Sequence, residues 1–291
     1  MMPDYHIGTL DEQGRRALQE GETQESPPAE PQPIFLDGRV WKKTVLTKKI
    51  PVSWDSKIFT FKLEHDEQSL GLPTGQHLMM RLRDPVTREA IIRSYTPISE
   101  VTDKGEVNIL IKVYNDTAEK QGGKMTKALD AIPVGHSIDF KGPIGKFEYL
   151  GKGRCSINGD ERIVKRFFMI CGGSGVTPIF QVFRAVMQDQ DDLTTCTVLN
   201  GNRLEEDILC REDLDRFATG NEARCKLLYT LTKATEAWTG LRGRIGADLL
   251  KEHVALQEDS MVLICGPESL EHSAHKLLNE QGWDDKDLLF F

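Results

Sequence analysis

The hydrophobic pattern of this chain changes period between residues 150 and 165, and that change divides it into two kinds of fold. Before it, apolar residues recur every second position: Val107, Ile109, Ile111 and Val113 share one face, as in a half-buried strand. Similar runs lie at Lys57–Leu63, His77–Leu82, Ala90–Thr96 and Ser137–Lys141, separated by Gly71-Leu72-Pro73, Asp103-Lys104-Gly105 and Gly142-Pro143-Ile144-Gly145. Short strands at that spacing predict a closed barrel, interrupted by one helix at about Lys124–Ala131. From Arg166 onward strand and helix patterns alternate. Strands are expected near 166–171, 194–200, 224–230, 260–265 and 287–291, and helices near 178–189, 210–217, 246–252 and 267–281. That alternation predicts a parallel sheet with helices on both faces.

Two such units fit 291 residues, and 39% apolar residues can fill a core in each. The expected division is a tail and linker over 1–38, a barrel over 39–149, a connection over 150–165 and an α/β domain over 166–291. The linker expectation rests on residues 19–33, where Glu, Gln, Thr and Ser precede Pro27, Pro28, Pro31 and Pro33. Such a composition buries too little apolar area to offset the entropy of ordering. A net charge of −8 argues against a nucleic-acid partner. Cysteines 155, 171, 196, 210, 225 and 265 lack C-x-x-C spacing, so reduced thiols, a cytoplasmic location and no metal site are expected. No apolar run approaches the roughly 20 residues of a membrane span, and no membrane partner is expected.

Within the second half, the run Arg166–Ile170 leads directly into Cys171-Gly172-Gly173-Ser174-Gly175-Val176-Thr177-Pro178 and then a helical pattern. Strand, glycine turn and helix in that order aim free backbone N–H groups and a positive dipole end at one point, which suits a phosphate. An ordinary turn without a ligand is the competing reading. The match to G-x-G-x-x-G is partial, because Pro178 stands where the third glycine belongs; proline is well placed in a first helical turn. In the barrel, Arg93 and Tyr95 fall on one strand face, where a guanidinium can hold a diphosphate and a phenol can meet a ring system. Gly122-Gly123-Lys124-Met125-Thr126 opens the only expected barrel helix and offers N–H groups and the Thr126 hydroxyl to an anion. A surface arginine and a plain helix cap are the alternatives.

The order R-x-Y-T-x-x-S, G-x-M-T, G-G-x-G-x-T-P, then Cys265-Gly266-Pro267 resembles the ferredoxin-reductase-type flavoproteins, in their cytochrome b5 reductase branch. That resemblance implies an antiparallel Greek-key FAD barrel followed by a Rossmann-like NAD(P)H domain. It implies that Arg93, Ser94, Tyr95, Thr96, Lys112, Val113, Tyr114, Gly123, Lys124, Met125 and Thr126 hold FAD. It further implies that Gly172, Gly173, Gly175, Thr177, Pro178, Asn202, Arg203, Cys265, Gly266 and Pro267 receive the nicotinamide nucleotide, with Cys265 and Thr177 nearest the reaction. Asn202–Leu209, Gly142–Gly145, Tyr149–Gly153 and Asp287–Phe291 are similar to the reductase end of eukaryotic, especially fungal, assimilatory nitrate reductases, and Asp4–Leu10 to the exit of the haem domain preceding it there. The implied activity is hydride transfer from NADPH, or NADH, to FAD, then single electrons to a b-type haem domain. A freestanding cytochrome b5 reductase and a nucleotide-sensing module without turnover are the rivals. No His-Pro-Gly-Gly haem motif and no molybdenum-cofactor domain occur in this chain, so haem and molybdenum cofactor, and a homodimer made through other domains, belong to the full-length enzyme.

Cys265 ends the apolar strand Met261–Ile264; it is read as positioning the nicotinamide, against the plainer role of a small buried hydrophobe. Cys171, Cys196, Cys210 and Cys225 are read as packing residues, and His77, His136, His253, His272 and His275 as core or surface residues. Arg203 favours a 2′-phosphate and the neighbouring Glu205, Glu206 and Asp207 a ribose hydroxyl, and the fungal resemblance tips the expectation to NADPH. Phe291 is expected to complete the sheet rather than cover the flavin.

Overall fold

The computed structural model describes residues 34–84, 87–118 and 121–291, so most of the expected tail and linker lies outside the described residues. The expected linker end at residue 38 is corrected. Phe35 and Leu36 donate their N–H groups to the Ser69 and Leu70 carbonyls at 2.9 and 3.0 Å, and both side chains enter the barrel core. Burying them stabilises by roughly 1.5–3 kcal/mol each, enough to order this short stretch despite its proline-rich approach.

Six antiparallel strands form the barrel: β1 (Lys42–Pro51), β2 (Ser56–Lys62), β3 (His77–Arg83), β4 (Ala90–Tyr95), β5 (Glu106–Lys112) and β6 (Ser137–Ile144). Their order, β4-β3-β6-β1-β2-β5, is a Greek key in which β6 returns between β1 and β3. Phe59, Leu78, Ile91, Ile109 and Phe140 meet in one core with Leu46, so all six strands contribute to it. Helix α1 (Lys124–Ala131) closes one end with Met125 and Leu129.

Residues 150–165 are more than a connection. β7 (Phe147–Gly151), β8 (Arg154–Ile157) and β9 (Asp160–Ile163) form a three-stranded meander whose second turn is the positive-φ pair Asn158-Gly159.

The second sheet is wholly parallel: β10 (Arg166–Gly172), β11 (Thr195–Asn202), β12 (Cys225–Leu231), β13 (Leu241–Arg242), β14 (Ser260–Cys265) and β15 (Leu288–Phe290), in the order β13-β12-β11-β10-β14-β15. β10 shows why both faces are covered. Phe167, Met169 and Cys171 point to α2 (Val176–Gln188) and α3 (Arg211–Thr219), while Phe168 and Ile170 point to α4 (Ala247–His253) and α5 (Glu268–Glu280). Strand order reverses at β10, and the carboxyl end of such a strand is where ligands of open α/β sheets bind. No helix among the described residues is long and apolar enough to cross a membrane.

Candidate functional site

A cleft of about 430 Å3 opens at that reversal, between the carboxyl edge of the parallel sheet and the barrel wall. On the sheet side, β10 passes into a 3-10 turn at Gly173–Gly175 and then α2. The two turn glycines have different jobs. Gly173 has φ +55°, and nothing lies within 4 Å of where a side chain would begin, so its backbone faces open space. A side chain on Gly175 would instead overlap the Cys265 carbonyl and approach the Gly266 nitrogen, so this glycine seats the start of α2 against the end of β14. Thr177, in the first helical turn, donates its hydroxyl to the Ser174 carbonyl at 3.2 Å, and Pro178 follows it.

On the barrel side, Arg93, Ser94, Tyr95 and Thr96 line the cleft from the end of β4, and Lys112 and Tyr114 from the end of β5. Gly123, Lys124, Met125 and Thr126 line it from the start of α1. The Thr126 hydroxyl is not left free for an anion as the sequence suggested. It accepts the Tyr114 N–H at 3.2 Å and donates to the Gly123 carbonyl at 3.3 Å, fixing the loop that carries Tyr114. The Tyr114 hydroxyl lies 3.1 Å from the Ser174 hydroxyl, so barrel and sheet touch across the cleft.

Cationic Arg93, Lys112 and Lys124 beside aromatic Tyr95, Tyr114 and Phe291 fit a cofactor with a diphosphate and a ring system. The backbone space at Gly173 and the bare N-terminus of α1, where Gly123 provides no side-chain cap, are further places for phosphate oxygens.

Two oxidoreductase domain models match the chain, an FAD-binding domain over residues 43–149 and an NAD-binding domain over residues 169–276. The crystal structure of the cytochrome b5 reductase domain of Ulva prolifera nitrate reductase is 34% identical, superposes with a TM-score of 0.83, and is matched over 89% of this chain and 100% of its own. The chain belongs to the nitrate reductase cytochrome b5 reductase-domain family. Nitrate reductase [NADPH] of Leptosphaeria maculans is 62% identical over all of this chain and 33% of its own length, and that of Aspergillus niger 56% identical over the same shares. The chain therefore spans about a third of the length of these curated relatives. As a b5 reductase-domain protein it is an oxidoreductase using FAD and a nicotinamide nucleotide.

Several residues expected for this b5 reductase-type site stand outside the cleft itself. Val113 is buried behind the wall, and Gly172 packs against Leu270 and Pro267 at the end of β10. The Asn202 amide donates to Asn200 Oδ1 at 2.8 Å, and Arg203 is exposed just beyond β11. His77, Ser174, Leu110, Ile111 and Phe291 line the cleft without having been expected. Phe291 does both things that the sequence set against each other: its N–H extends the sheet to the Ile264 carbonyl at 3.1 Å, while its ring lines the cleft and packs edge-on against Phe147.

Burial sets the protonation of the lining groups. It raises the Tyr95 phenol well above the ordinary tyrosine value and lowers His77, leaving both neutral near pH 7. Burial, and then the nearby Glu271 carboxylate, pushes the Cys265 thiol up to about 12. Burial would lower Lys112, but the hydrogen bond and charge of Asp55, with Asp207, outweigh it and raise its pKa.

Proposed function

We propose that the chain carries a hydride from NADPH to FAD and then single electrons to a b-type haem domain, as the reductase part of a cytoplasmic, dimeric assimilatory nitrate reductase. The observation that carries this reading is the convergence, on one cleft, of Ser174 and Gly175 from the glycine turn, the Cys265-Gly266 strand end and the Arg93–Thr96 and Gly123–Thr126 segments. FAD bound there supplies the redox chemistry, since a flavin accepts two electrons with a hydride and releases them one at a time. Arg93 and the N–H groups opening α1 hold its diphosphate, and Tyr95 and Thr96 hold its ring end. The Gly173–Gly175 turn receives the nucleotide phosphates and Cys265 and Thr177 orient the nicotinamide. Phe291 and the neutral, half-buried His77, which line the cleft, would help exclude water from bound FAD. Arg203, exposed at the carboxyl end of β11, meets the 2′-phosphate that distinguishes NADPH. The names of the fungal relatives support the same donor.

An absorption spectrum of the purified chain, before and after one equivalent of NADPH, tests this. Bound flavin that bleaches supports the reading; a colourless protein, or a flavin that stays oxidised, overturns it. Arg203→Ala is expected to weaken NADPH about tenfold with NADH little changed, the scale of one charged hydrogen bond. Equal losses for both donors would remove Arg203 from that role.

A further inference from the structure

We infer that Asp207, which lies outside the cleft, is a positioning residue that clasps the nucleotide-reading loop after β11 to the barrel wall. The inference rests on the donor site proposed above and adds to it a residue of the opposite charge.

Asp207 ends the 3-10 turn Glu205–Asp207, four positions after Arg203, and its side chain is 8% exposed. One carboxylate oxygen turns back into its own loop and accepts the Leu204 N–H at 3.1 Å. The other oxygen crosses to the barrel, where it lies 3.3 Å from the Lys112 ammonium and 3.3 Å from the Trp54 indole nitrogen. Lys112 is shared: Asp55 Oδ2 holds it at 2.8 Å from the barrel side, and Asp55 is itself fixed by the hydroxyls of Ser53 and Ser56. A single cleft-lining cation is thereby gripped by one buried carboxylate from each half of the molecule.

Trp54 gives the second, independent sign. Its side chain is 70% exposed, so burial cannot be what holds it in place, yet its N–H is aimed at Asp207 and its ring stands 5.6 Å from the Lys112 ammonium. On the other side, the loop is attached to its own sheet independently, through the Thr232 and Lys233 N–H groups bonded to the Asn202 and Arg203 carbonyls at 3.0 and 2.8 Å. Removing the Asp207 charge therefore leaves the sheet in place and Lys112 still held by Asp55 at 2.8 Å. What it releases is the loop's orientation toward the barrel, and with it the aim of Arg203. Hydrogen bonds to charged groups in such half-buried settings are among the stronger ones, because little water competes for the partners.

The test uses the full FAD-loaded chain, with NADPH and NADH as alternative donors and ferricyanide as acceptor. In Asp207→Asn the KM for NADPH is expected to rise about tenfold and the preference for NADPH over NADH to fall, while kcat and flavin content stay within about twofold. Asp207→Glu, which keeps the charge, restores part of the KM. Trp54→Phe, an exposed substitution that removes the indole donor and keeps a smaller aromatic ring beside Lys112, raises the KM for NADPH about threefold. A purely structural Asp207 would lower the melting temperature and kcat while leaving KM and donor preference unchanged, and that result overturns the clasp. If Asp207→Asn does not retain flavin, Trp54→Phe decides: a wild-type KM there refutes the inference and a raised one supports it. A wild-type protein whose flavin NADPH does not reduce would instead sink the proposed function, before either variant is compared.

Discussion

With its thiol held near 12, Cys265 is a neutral S–H across the physiological range and has too little thiolate to act as a nucleophile. What remains to it is shape and a weak hydrogen-bond donor at the lip of β14. A serine there keeps a donor but shortens the contact, and a small misplacement of reacting atoms costs rate steeply. Cys265→Ser is expected to slow single-turnover flavin reduction by NADPH about tenfold with unchanged flavin content. The pH profile of that step should show no thiol inflection below about pH 11; an inflection near neutrality would contradict the neutral-thiol role. The position of Cys265 at a strand end was readable from Met261–Ile264, but its protonation was not, because it depends on burial and on Glu271. The same holds for the glycines. Gly173 and Gly175 look equivalent in the motif, yet one faces open space and the other is wedged against Cys265, a distinction made by the packing of α2 on β14.

Among the elements, α2 depends on a residue that the sequence showed only as part of a strand region. The Arg224 guanidinium donates to the carbonyls of Val186, Met187 and Asp189 at 3.0, 3.1 and 3.0 Å, to that of Asp192, and to Asn221 Oδ1. It thus satisfies the carbonyls that the last turn of a helix leaves without partners. Arg224→Met should lower the melting temperature by roughly 5–10 °C. A thermal melt within about one degree of wild type would show that the cap is dispensable. Long-range caps of this kind leave no local signature. Local hairpins, by contrast, do carry a signature. Asn158-Gly159 is a two-residue hairpin signal hidden in a segment whose Gly, Lys and Arg content suggested a connection. β1 is masked for a different reason: its register slips between Leu46 and Lys48, which breaks the period-two pattern, and Val45 and Ile50 face solvent.

For the whole molecule, the change of hydrophobic period was enough to order a barrel before a parallel sheet, but the way the two meet is written in polar side chains. Gln181 accepts the Gly75 N–H at 2.6 Å, and Arg184 donates to the Ile98 and Ser99 carbonyls at 2.7 and 2.5 Å. Gln188 donates to Glu100 at 2.8 Å. Nothing in an amphipathic helix pattern marks these as bonds to another domain. Arg184→Ala should leave FAD content and the KM for NADPH near wild type while lowering the hydride-transfer rate constant about fivefold, since alignment across the cleft is what it secures. Stopped-flow reduction reads this, and a rate equal to wild type would show that the junction tolerates its loss. Residues 181, 184 and 188 sit on a helix whose first turn, with Thr177 and Pro178, lines the cleft. Each residue advances an α-helix by about 100°, so a single insertion or deletion after Thr177 would swing all three contacts off the barrel together. The length of this helix is locked like a gear tooth count, and descendants of the gene can vary its letters far more freely than their number.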